Sequence, residues 1–306
     1  MLHAIIDIGS NTIRMAIYRI EGRSFDLLLK RKHMVGLAGC LNNGYLVREG
    51  IEKTVKILRG FMTFTELFGI AHVHGFATAA LRTARNRRAV TDEIMRRTGV
   101  AVRILSGEEE AAYDFIGATQ SIACADGIMA DIGGGSTEII SYTHHEMQGR
   151  WSLPLGSLAL SKAHVTGLRP TPAECAAIRA AVADVLDRAP AVRALRARHM
   201  VGLGGVFSSA SRMHSLLYPE ETPRLLRSAH LPAMIAMFGS GQPLSEEQTA
   251  VLLRSAPDRL HTIVPGMIIA HTLAESFAAE DIACSDSGVR EGYIWKEIIG
   301  VDDGGQ

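Results

Sequence analysis

Short apolar stretches alternate with polar turns through the first third of the chain. Residues 3–8 and 13–20 are apolar and flank the polar loop GSNT, so their length and isoleucine content predict two strands. Apolar residues then recur at helical spacing through 48–69, and this pattern ends at Gly69. The same reasoning predicts strands over 25–32, 71–78 and 100–105, and helices over 88–98 and from Ser106 to about Ala118.

The rest of the chain is richer in helical patterns. A strand is predicted over 127–132, and a long Ala- and Arg-rich helix over 171–198 with Pro172 at its start. After MVGLGG (200–205) the pattern is mostly helical to about Ala279, and GYIWKEIIG predicts a last helix before the polar tail DDGGQ. Strands that alternate with helices after an initial strand meander predict an α/β fold. No Gly-, Ser- or Pro-rich linker divides the chain, so we expect any hinge near 120–127.

Two segments of the chain share one plan. IIDIGSNTIRMAIYRI (5–20) and MADIGGGSTEIISYTH (129–144) each read as apolar strand, Asp-Ile-Gly, small polar loop and apolar strand. The two aspartates are Asp7 and Asp131. Because the loops occupy corresponding places in two half-chains, we interpret them as a duplicated domain with two loops that face each other.

Loops of this composition are suited to binding phosphate. Glycine lets several backbone N–H groups point the same way, and the hydroxyls of Ser10, Thr12, Ser136 and Thr137 add donors. An aspartate at the strand end would repel a phosphate unless a divalent cation lies between them. Each loop alone is explained equally well by a plain β-turn, and only the pair favours a phosphate site.

Three glutamates open the helix in ILSGEEEAAYDFIGA (104–118). Ser106 and Glu109 match a capping box, and Glu108 suits the positive end of the helix dipole. Glu110 has no such explanation, because it lies about 200° round the helix from Ala112 on the apolar face. From spacing alone a solvated surface glutamate is favoured, and a general base facing a cleft is the alternative.

The densest basic segment is FATAALRTARNRRAV (76–90). Arginines bind phosphate through paired hydrogen bonds, and Arg82 is the candidate because it closely follows the strand end at Thr78. Arg87 and Arg88 are interpreted as a solvated helix start. The histidines have no Cys or carboxylate companions at ligand spacing, so they predict no metal site.

Composition narrows the classes of binding partner that the chain is expected to have. The chain has 306 residues, 47% of them hydrophobic, with 32 basic and 32 acidic side chains, so a nucleic-acid or anionic-membrane partner gains no support from net charge. The length suggests two domains. Widely spaced cysteines predict reduced thiols, and we expect no signal peptide, no transmembrane helix and a cytoplasmic location.

Taken together, the motifs resemble the exopolyphosphatase/guanosine pentaphosphate phosphohydrolase (Ppx/GppA) family, in its short two-domain form, within the actin, Hsp70 and sugar-kinase superfamily. The resemblance covers nearly the whole chain, and the two Asp-Ile-Gly loops combined with Ser-Gly-x-Glu-Glu-Ala are its most specific part. Its markers are IIDIGSNTIRM (5–15), FATAALRTARN (76–86), ILSGEEEAAYDFIGA (104–118), MADIGGGSTEII (129–140), LPLGSLAL (153–160), APDRLHTIVPGMIIAH (256–271) and SDSGVREGY (285–293).

The resemblance implies an α/β fold of two ribonuclease-H-like domains flanking a cleft. The first would span 1–122 and be completed by a C-terminal helix in 288–306, and the second would span 123–287. The implied activity is hydrolysis of terminal phosphoanhydride bonds in polyphosphate or guanosine pentaphosphate with Mg²⁺ or Mn²⁺. A homodimer is implied as well.

The family also implies a role for each matching residue. Glu110 would be the catalytic base that activates water. The implied phosphate-binding residues are Gly9, Ser10, Asn11, Thr12, Arg82, Gly133, Gly134, Gly135, Ser136 and Thr137. The implied metal ligands are Asp7, Asp131 and Glu138.

Three positions depart from the family's pattern. Gly36 and Ala159 stand where the family often has a basic residue, and Val206–Ser208 replaces its Thr-x-Arg after a third glycine loop. These losses affect the expected affinity for a long polyanion. Exopolyphosphatase is the leading hypothesis and guanosine pentaphosphatase the alternative. The lost basic positions motivate a second alternative, a phosphate- or alarmone-binding regulator of low activity, against which the presence of Glu110, Asp7 and Asp131 argues. An ATP-using kinase is disfavoured by the short chain and the Ser-Gly-x-Glu-Glu-Ala helix.

Overall fold

The computed structural model describes residues 1–120 and 125–300. Its strands are β1 (Leu2–Ile8), β2 (Thr12–Glu21), β3 (Ser24–Met34), β4 (Leu41–Asn42), β5 (Tyr45–Leu46), β6 (His72–Ala77), β7 (Val102–Ile104), β8 (Gly127–Ile132), β9 (Thr137–Thr143), β10 (Glu146–Leu153), β11 (His199–Leu203), β12 (Leu225–Arg227) and β13 (Asp281–Cys284). Its α-helices are α1 (Arg48–Leu67), α2 (Ala79–Thr83), α3 (Arg87–Thr98), α4 (Gly107–Thr119), α5 (Ser157–His164), α6 (Pro172–Asp187), α7 (Pro190–Arg193), α8 (Gly204–Leu217), α9 (Leu231–Phe238), α10 (Glu246–Ser255), α11 (Ile263–Phe277) and α12 (Val289–Tyr293). A π-helical turn, Ile294–Ile299, follows α12.

Two compact units divide the chain, Met1–Glu110 and Ala111–Gln306, and the division falls within α4. The predicted domain boundary at 122/123 and the hinge predicted near 120–127 include residues outside the described ranges. Residues 288–293 pack closely on α4, since a Cβ at Gly292 would overlap the carbonyl of Tyr113 and a Cβ at Gly117 would overlap that of Gly288. Completion of the first domain by the C-terminal helix stays a prediction.

The first unit contains a five-stranded sheet in the order β3-β2-β1-β6-β7. Strands β1, β2 and β3 form an antiparallel meander, whereas β1, β6 and β7 run parallel. The apolar face predicted for α1 packs with α3 on one face of this sheet, where Ile6, Val55, Leu58 and Ile94 belong to one buried cluster. Burial of such side chains is the main stabilising contribution to the unit.

The second unit repeats this plan. Its sheet has the order β10-β9-β8-β11-β13-β12, in which β8, β9 and β10 form the antiparallel meander and β8, β11 and β13 run parallel. One large apolar cluster includes Ile128, Val182, Phe207 and Ile268. The equivalent strand orders confirm the predicted α/β class, with one ribonuclease-H-like sheet in each half of the chain.

One predicted helix is wrong. The pattern over 171–198 is divided into α6 and α7 at Pro190, because proline has no N–H to donate and disfavours helical geometry at the preceding residue. Ala189 accordingly has φ −119° and ψ 66°. Within the mostly helical stretch to Ala279, the short strand β12 was also missed.

Three of the four cysteines lie among the described residues. Cys40, Cys175 and Cys284 are free thiols, as expected, and Cys124 lies outside those residues. Among residues 1–120 and 125–300, the helices are too short or too polar for any of them to cross a bilayer.

Three histidines meet at the start of the parallel strands in the first unit. The ring of His3 stacks on that of His72 at 4.6 Å between centroids, and His3 Nδ1 lies 3.2 Å from His74 Nε2. Burial, followed by the two neighbouring imidazoles and the chain's amino terminus, lowers the pKa of His3 to about 4. The folded first unit therefore favours the neutral ring.

Acid should destabilise the first unit through this cluster. The unfolded ring takes up a proton near pH 6.5 and the folded ring only near pH 4, so stability present above pH 6.5 is lost as the pH falls between these values. We expect a loss of about 2 kcal/mol in the free energy of unfolding between pH 7 and pH 4.5. Denaturant unfolding of the wild type and of His3→Phe measures it, and an equal acid loss in both proteins would contradict this origin.

Candidate active site

The parallel strands of the first unit end at one edge of their sheet. After β1 comes the loop Gly9–Thr12, after β6 comes α2, and after β7 comes the start of α4. Backbone hydrogen bonds connect the segments that follow neighbouring strands. Thr78 N–H donates to the carbonyl of Ile8 at 3.2 Å, and Leu105 N–H donates to the carbonyl of Ala77 at 2.9 Å. Ligands of open α/β sheets bind at the carboxyl ends of the strands. The sheet therefore brings three of the predicted segments of this unit to one edge.

In the first loop, backbone carbonyls are directed into the protein. Gly9 N–H donates to Thr12 O at 3.0 Å, and the carbonyl of Asn11 accepts from Val35 and Gly36 at 2.9 and 3.0 Å. The side-chain Nδ2 of Asn11 is buried and has no hydrogen-bond partner in the described residues. A buried donor without a partner is costly, so this amide is explained if a ligand accepts from it.

Gly36 has a structural reason to be glycine. Its φ is 64°, a left-handed conformation that side chains rarely adopt, and its N–H holds the loop through Asn11. A basic residue at this position would strain the segment that supports the first loop.

The second loop repeats the first. Gly133 N–H donates to Ser136 O at 2.9 Å, as Gly9 does to Thr12. The carbonyls of Gly133 and Gly134 accept N–H groups from the first turn of α5, contributed by Ser157, Leu158 and Ala159 at 2.9, 3.1 and 3.0 Å. With the carbonyls held on that side, the N–H groups of Gly134 and Gly135 have no acceptor in the part of the chain that the structure describes. Such N–H groups form an anion-binding concavity.

Not every residue of this loop presents a donor outward. The hydroxyl of Thr137 is buried and donates to the carbonyl of Leu155 at 2.6 Å. This bond fixes the segment before α5 against the start of β9. The predicted role of Thr137 in phosphate binding therefore does not involve a free hydroxyl.

The two loops differ in the residue that stands opposite the aspartate. Asp7 pairs across the strands with Arg14, whereas Asp131 pairs with Glu138. Arg14 Nη1 lies 3.4 Å from Asp7 Oδ2, so a cation neutralises the first carboxylate. The second loop instead sets two carboxylates side by side, which is a donor set that Mg²⁺ favours.

Glu138 is held ready for such a role. Its side chain is buried, at 1% exposure, and Ser152 on β10 donates to Glu138 Oε1 at 2.7 Å. A buried carboxylate beside a second, half-buried one is stabilised by a cation, so Asp131 and Glu138 fit a divalent metal. In residues 1–120 and 125–300 no cluster of three or more His, Cys, Asp or Glu side chains is arranged as a metal cage.

Glu110 is not the solvated glutamate that spacing alone favoured. It is 8% exposed, and Arg82 Nη1 donates to Glu110 Oε2 at 2.6 Å. The same nitrogen lies 3.3 Å from the carbonyl of Leu105, at the end of β7. Helix α4 is buried continuously from Glu110 to Ala118, so the assumption of a one-sided apolar face was wrong. The predicted base and the predicted arginine therefore lie in direct contact.

Sequence reasoning missed three residues. Arg14 could have been found by aligning the two repeats, because it occupies the place of Glu138. Ser152 could not, since it reaches Glu138 only through the register of β10 on β9. Arg259 lies against the third glycine loop, where its guanidinium occupies the space that a Cβ of Gly205 would need, and a Cβ of Gly204 would overlap the Asp131 carboxylate.

Comparisons with known proteins identify the family. The sequence profile of the Ppx/GppA phosphatase family matches residues 16–299. The chain belongs to this family. Its members hydrolyse phosphoanhydride bonds and generally depend on a divalent metal, so the chain is a phosphoanhydride hydrolase.

Individual relatives carry both of the expected activities in their names. Exopolyphosphatase 1 of Mycobacterium tuberculosis is 26% identical over 98% of this chain and 89% of its own length. A guanosine-5'-triphosphate,3'-diphosphate pyrophosphatase of Aeromonas hydrophila is 27% identical over 96% of this chain but 59% of its own length. The fold is similar to that of an exopolyphosphatase from Cytophaga hutchinsonii, with a TM-score of 0.86, 21% identity and 99% of each chain covered.

A substitution at Gly156 tests how the second loop is supported. A Cβ at this position would overlap the Gly134 carbonyl group and Gly135 Cα, so Gly156→Ala should displace the loop. We expect a loss of about 1–3 kcal/mol in stability, from overpacking, together with weaker binding of phosphate. Thermal unfolding and a phosphate-binding titration measure the two effects. The control is Gly60→Ala in α1, where nothing lies within 4 Å of the added methyl group; equal behaviour of the two variants would contradict the proposed support.

Proposed function

We propose that this phosphatase is an exopolyphosphatase that releases orthophosphate from the end of inorganic polyphosphate. The observation that carries the proposal is Glu110, a buried carboxylate 2.6 Å from Arg82 at the edge of the sheet where the first phosphate loop also lies. The contact with Arg82 fixes the orientation of the carboxylate at this edge. Glu110 would there take a proton from the attacking water.

Hydrolysis of a phosphoanhydride depends mainly on positioning and on stabilisation of negative charge. In the first unit Arg82 would offset the charge that develops on phosphate oxygens while it orients Glu110. In the second unit the N–H groups of Gly134 and Gly135 would bind phosphate oxygens. Asp131 and Glu138 would hold Mg²⁺ or Mn²⁺, which when bound supplies further positive charge to the phosphate oxygens. Asp7, already paired with Arg14, is the weaker of the three predicted metal ligands.

The name of the Aeromonas relative favours a second candidate, the 5'-phosphohydrolase of guanosine pentaphosphate. The same base, loops and metal ligands serve either substrate, because both end in a phosphoanhydride. Phosphate release from long polyphosphate, tripolyphosphate and guanosine pentaphosphate, each with Mg²⁺ and with EDTA, separates the two. Tight binding of guanosine pentaphosphate without turnover of any substrate would instead favour the low-activity regulator. The homodimer and the cytoplasmic location stay predictions.

Removal of the base should slow turnover strongly without unfolding the chain. Glu110→Gln keeps the size and a hydrogen bond to Arg82 but cannot take up the proton. We expect kcat to fall by about 10²–10³ with little change in KM. Steady-state phosphate release measures both parameters, and circular dichroism checks the fold. Glu108→Gln, at an exposed position of the same helix, is the matched control. Near-normal turnover in Glu110→Gln would refute the assignment.

Activity lost by removing one metal ligand should be recovered at a higher Mg²⁺ concentration. Glu138→Gln leaves one carboxylate in the pair, so we expect the Mg²⁺ concentration for half-maximal activity to rise about tenfold or more. Calorimetric titration of the protein with Mg²⁺ gives the same comparison without turnover. Glu146→Gln, exposed on β10, should behave as the wild type. An unchanged Mg²⁺ requirement in Glu138→Gln would show that the metal is held elsewhere.

A further inference from the structure

Helix α4 is packed on two sides after its first turn. One side belongs to the apolar cluster that β8, β9 and β11 form, through residues such as Ala111 and Phe115. The other side carries Tyr113 and Gly117, which follow Glu110 at positions i+3 and i+7. Because such positions lie one above another on a helix, Glu110 shares a face of α4 with these two residues.

The C-terminal segment 288–299, which contains α12 and the π-helical turn, lies against the face with Tyr113 and Gly117. A Cβ at Gly117 would overlap the carbonyl of Gly288, and a Cβ at Gly292 would overlap the carbonyl of Tyr113. Glycine is unfavourable within a helix, so this close approach of two backbones explains why Gly117 and Gly292 are glycines. A side chain at either position would push α4 and the segment apart.

A side-chain hydrogen bond adds direction to this packing. Tyr113 is buried, at 2% exposure, and its hydroxyl donates to Glu297 Oε1 at 2.5 Å. Its ring packs edge-on against that of Tyr293, with 5.6 Å between the centroids. These contacts limit rotation of α4 about its own axis, and the glycine contacts limit its distance from the segment. A change in the position of α4 is passed to Glu110, which lies one helical turn before Tyr113.

We propose that the C-terminal segment is a positioning element for the hydrolytic reaction, with Tyr113, Gly117 and Gly292 as its positioning residues. It sets the rotation and height of α4 and thereby directs Glu110 to its place 2.6 Å from Arg82. The inference rests on the proposed function, because it assumes that Glu110 is the base. Misplacing a reacting group by about 1 Å can slow a reaction about 10²-fold. A purely structural role of the same contacts predicts a change in stability but none in turnover per folded molecule.

The test compares Gly292→Ala and Tyr113→Phe with Gly239→Ala. The first variant pushes on the carbonyl of Tyr113, and the second removes a hydroxyl without adding volume. Gly239 is also a buried glycine of the second unit, and its Cβ would meet Cys175 Sγ at 2.7 Å, so Gly239→Ala is the control for overpacking elsewhere. For long polyphosphate we expect kcat to fall about tenfold or more in Gly292→Ala and about 3- to 10-fold in Tyr113→Phe, with KM changed less than about twofold. Gly239→Ala should keep the wild-type kcat per folded molecule, which circular dichroism and thermal unfolding establish for each variant.

A double-mutant cycle tests whether the segment acts through Glu110. In the Glu110→Gln background, Gly292→Ala should lower kcat by less than about twofold, because the side chain that it misplaces no longer takes up the proton. An equal fold-loss in both backgrounds would show that the contact acts independently of Glu110 and would overturn the proposal.

The outcomes also separate this inference from the proposed function. A wild-type kcat in Gly292→Ala, with Glu110→Gln slowed as expected, would overturn the positioning role alone; if Gly292→Ala does not fold, Tyr113→Phe decides in the same way. A wild type that hydrolyses guanosine pentaphosphate but not polyphosphate, with the same losses in the variants, would support the positioning role and refute the exopolyphosphatase. Near-normal turnover in Glu110→Gln would refute both.

Discussion

Each of the two candidate phosphate loops depends on where its carbonyl groups are directed. In each loop a glycine N–H donates to the carbonyl of the residue three positions later, Thr12 or Ser136, and neighbouring segments donate N–H groups to the remaining carbonyls. A peptide group whose carbonyl is held on one side presents its N–H on the other. The supporting segments, Val35–Ala38 in the first unit and the start of α5 in the second, are therefore as necessary as the loops. Mutations in them are expected to affect phosphate binding without touching the substrate.

The loops themselves could be predicted from the sequence because they are local. Glycine, aspartate and small polar residues between two apolar strands define both the turn and its chemistry, and the repeat made the interpretation specific. Contact between Glu110 and Arg82 could not be predicted in this way, since it depends on β6 and β7 being parallel neighbours in one sheet. Spacing alone even favoured a solvated Glu110. The family resemblance instead implied a catalytic role for Glu110, and the structure shows that its side chain is buried.

Other features were missed because cross-strand register is not visible in a single segment. Ser152 reaches Glu138 only when β10 pairs with β9. The two copies of the motif also differ at the position that stands across the strands from the aspartate, where Arg14 neutralises Asp7 and Glu138 adds a second carboxylate to Asp131. That exchange assigns different chemistry to loops of the same shape.

The outer strand β3 has a consequence for assembly. It is the edge of its sheet, its register on β2 shifts so that Leu28 is an extra residue, and its second half reads Lys-Arg-Lys-His. A β-bulge twists an edge away from a straight partner, and repeated positive charge repels an identical strand from a second molecule. If this enzyme forms a symmetric dimer, continuous sheet formation through β3 is disfavoured, and the subunits would have to associate through other surfaces.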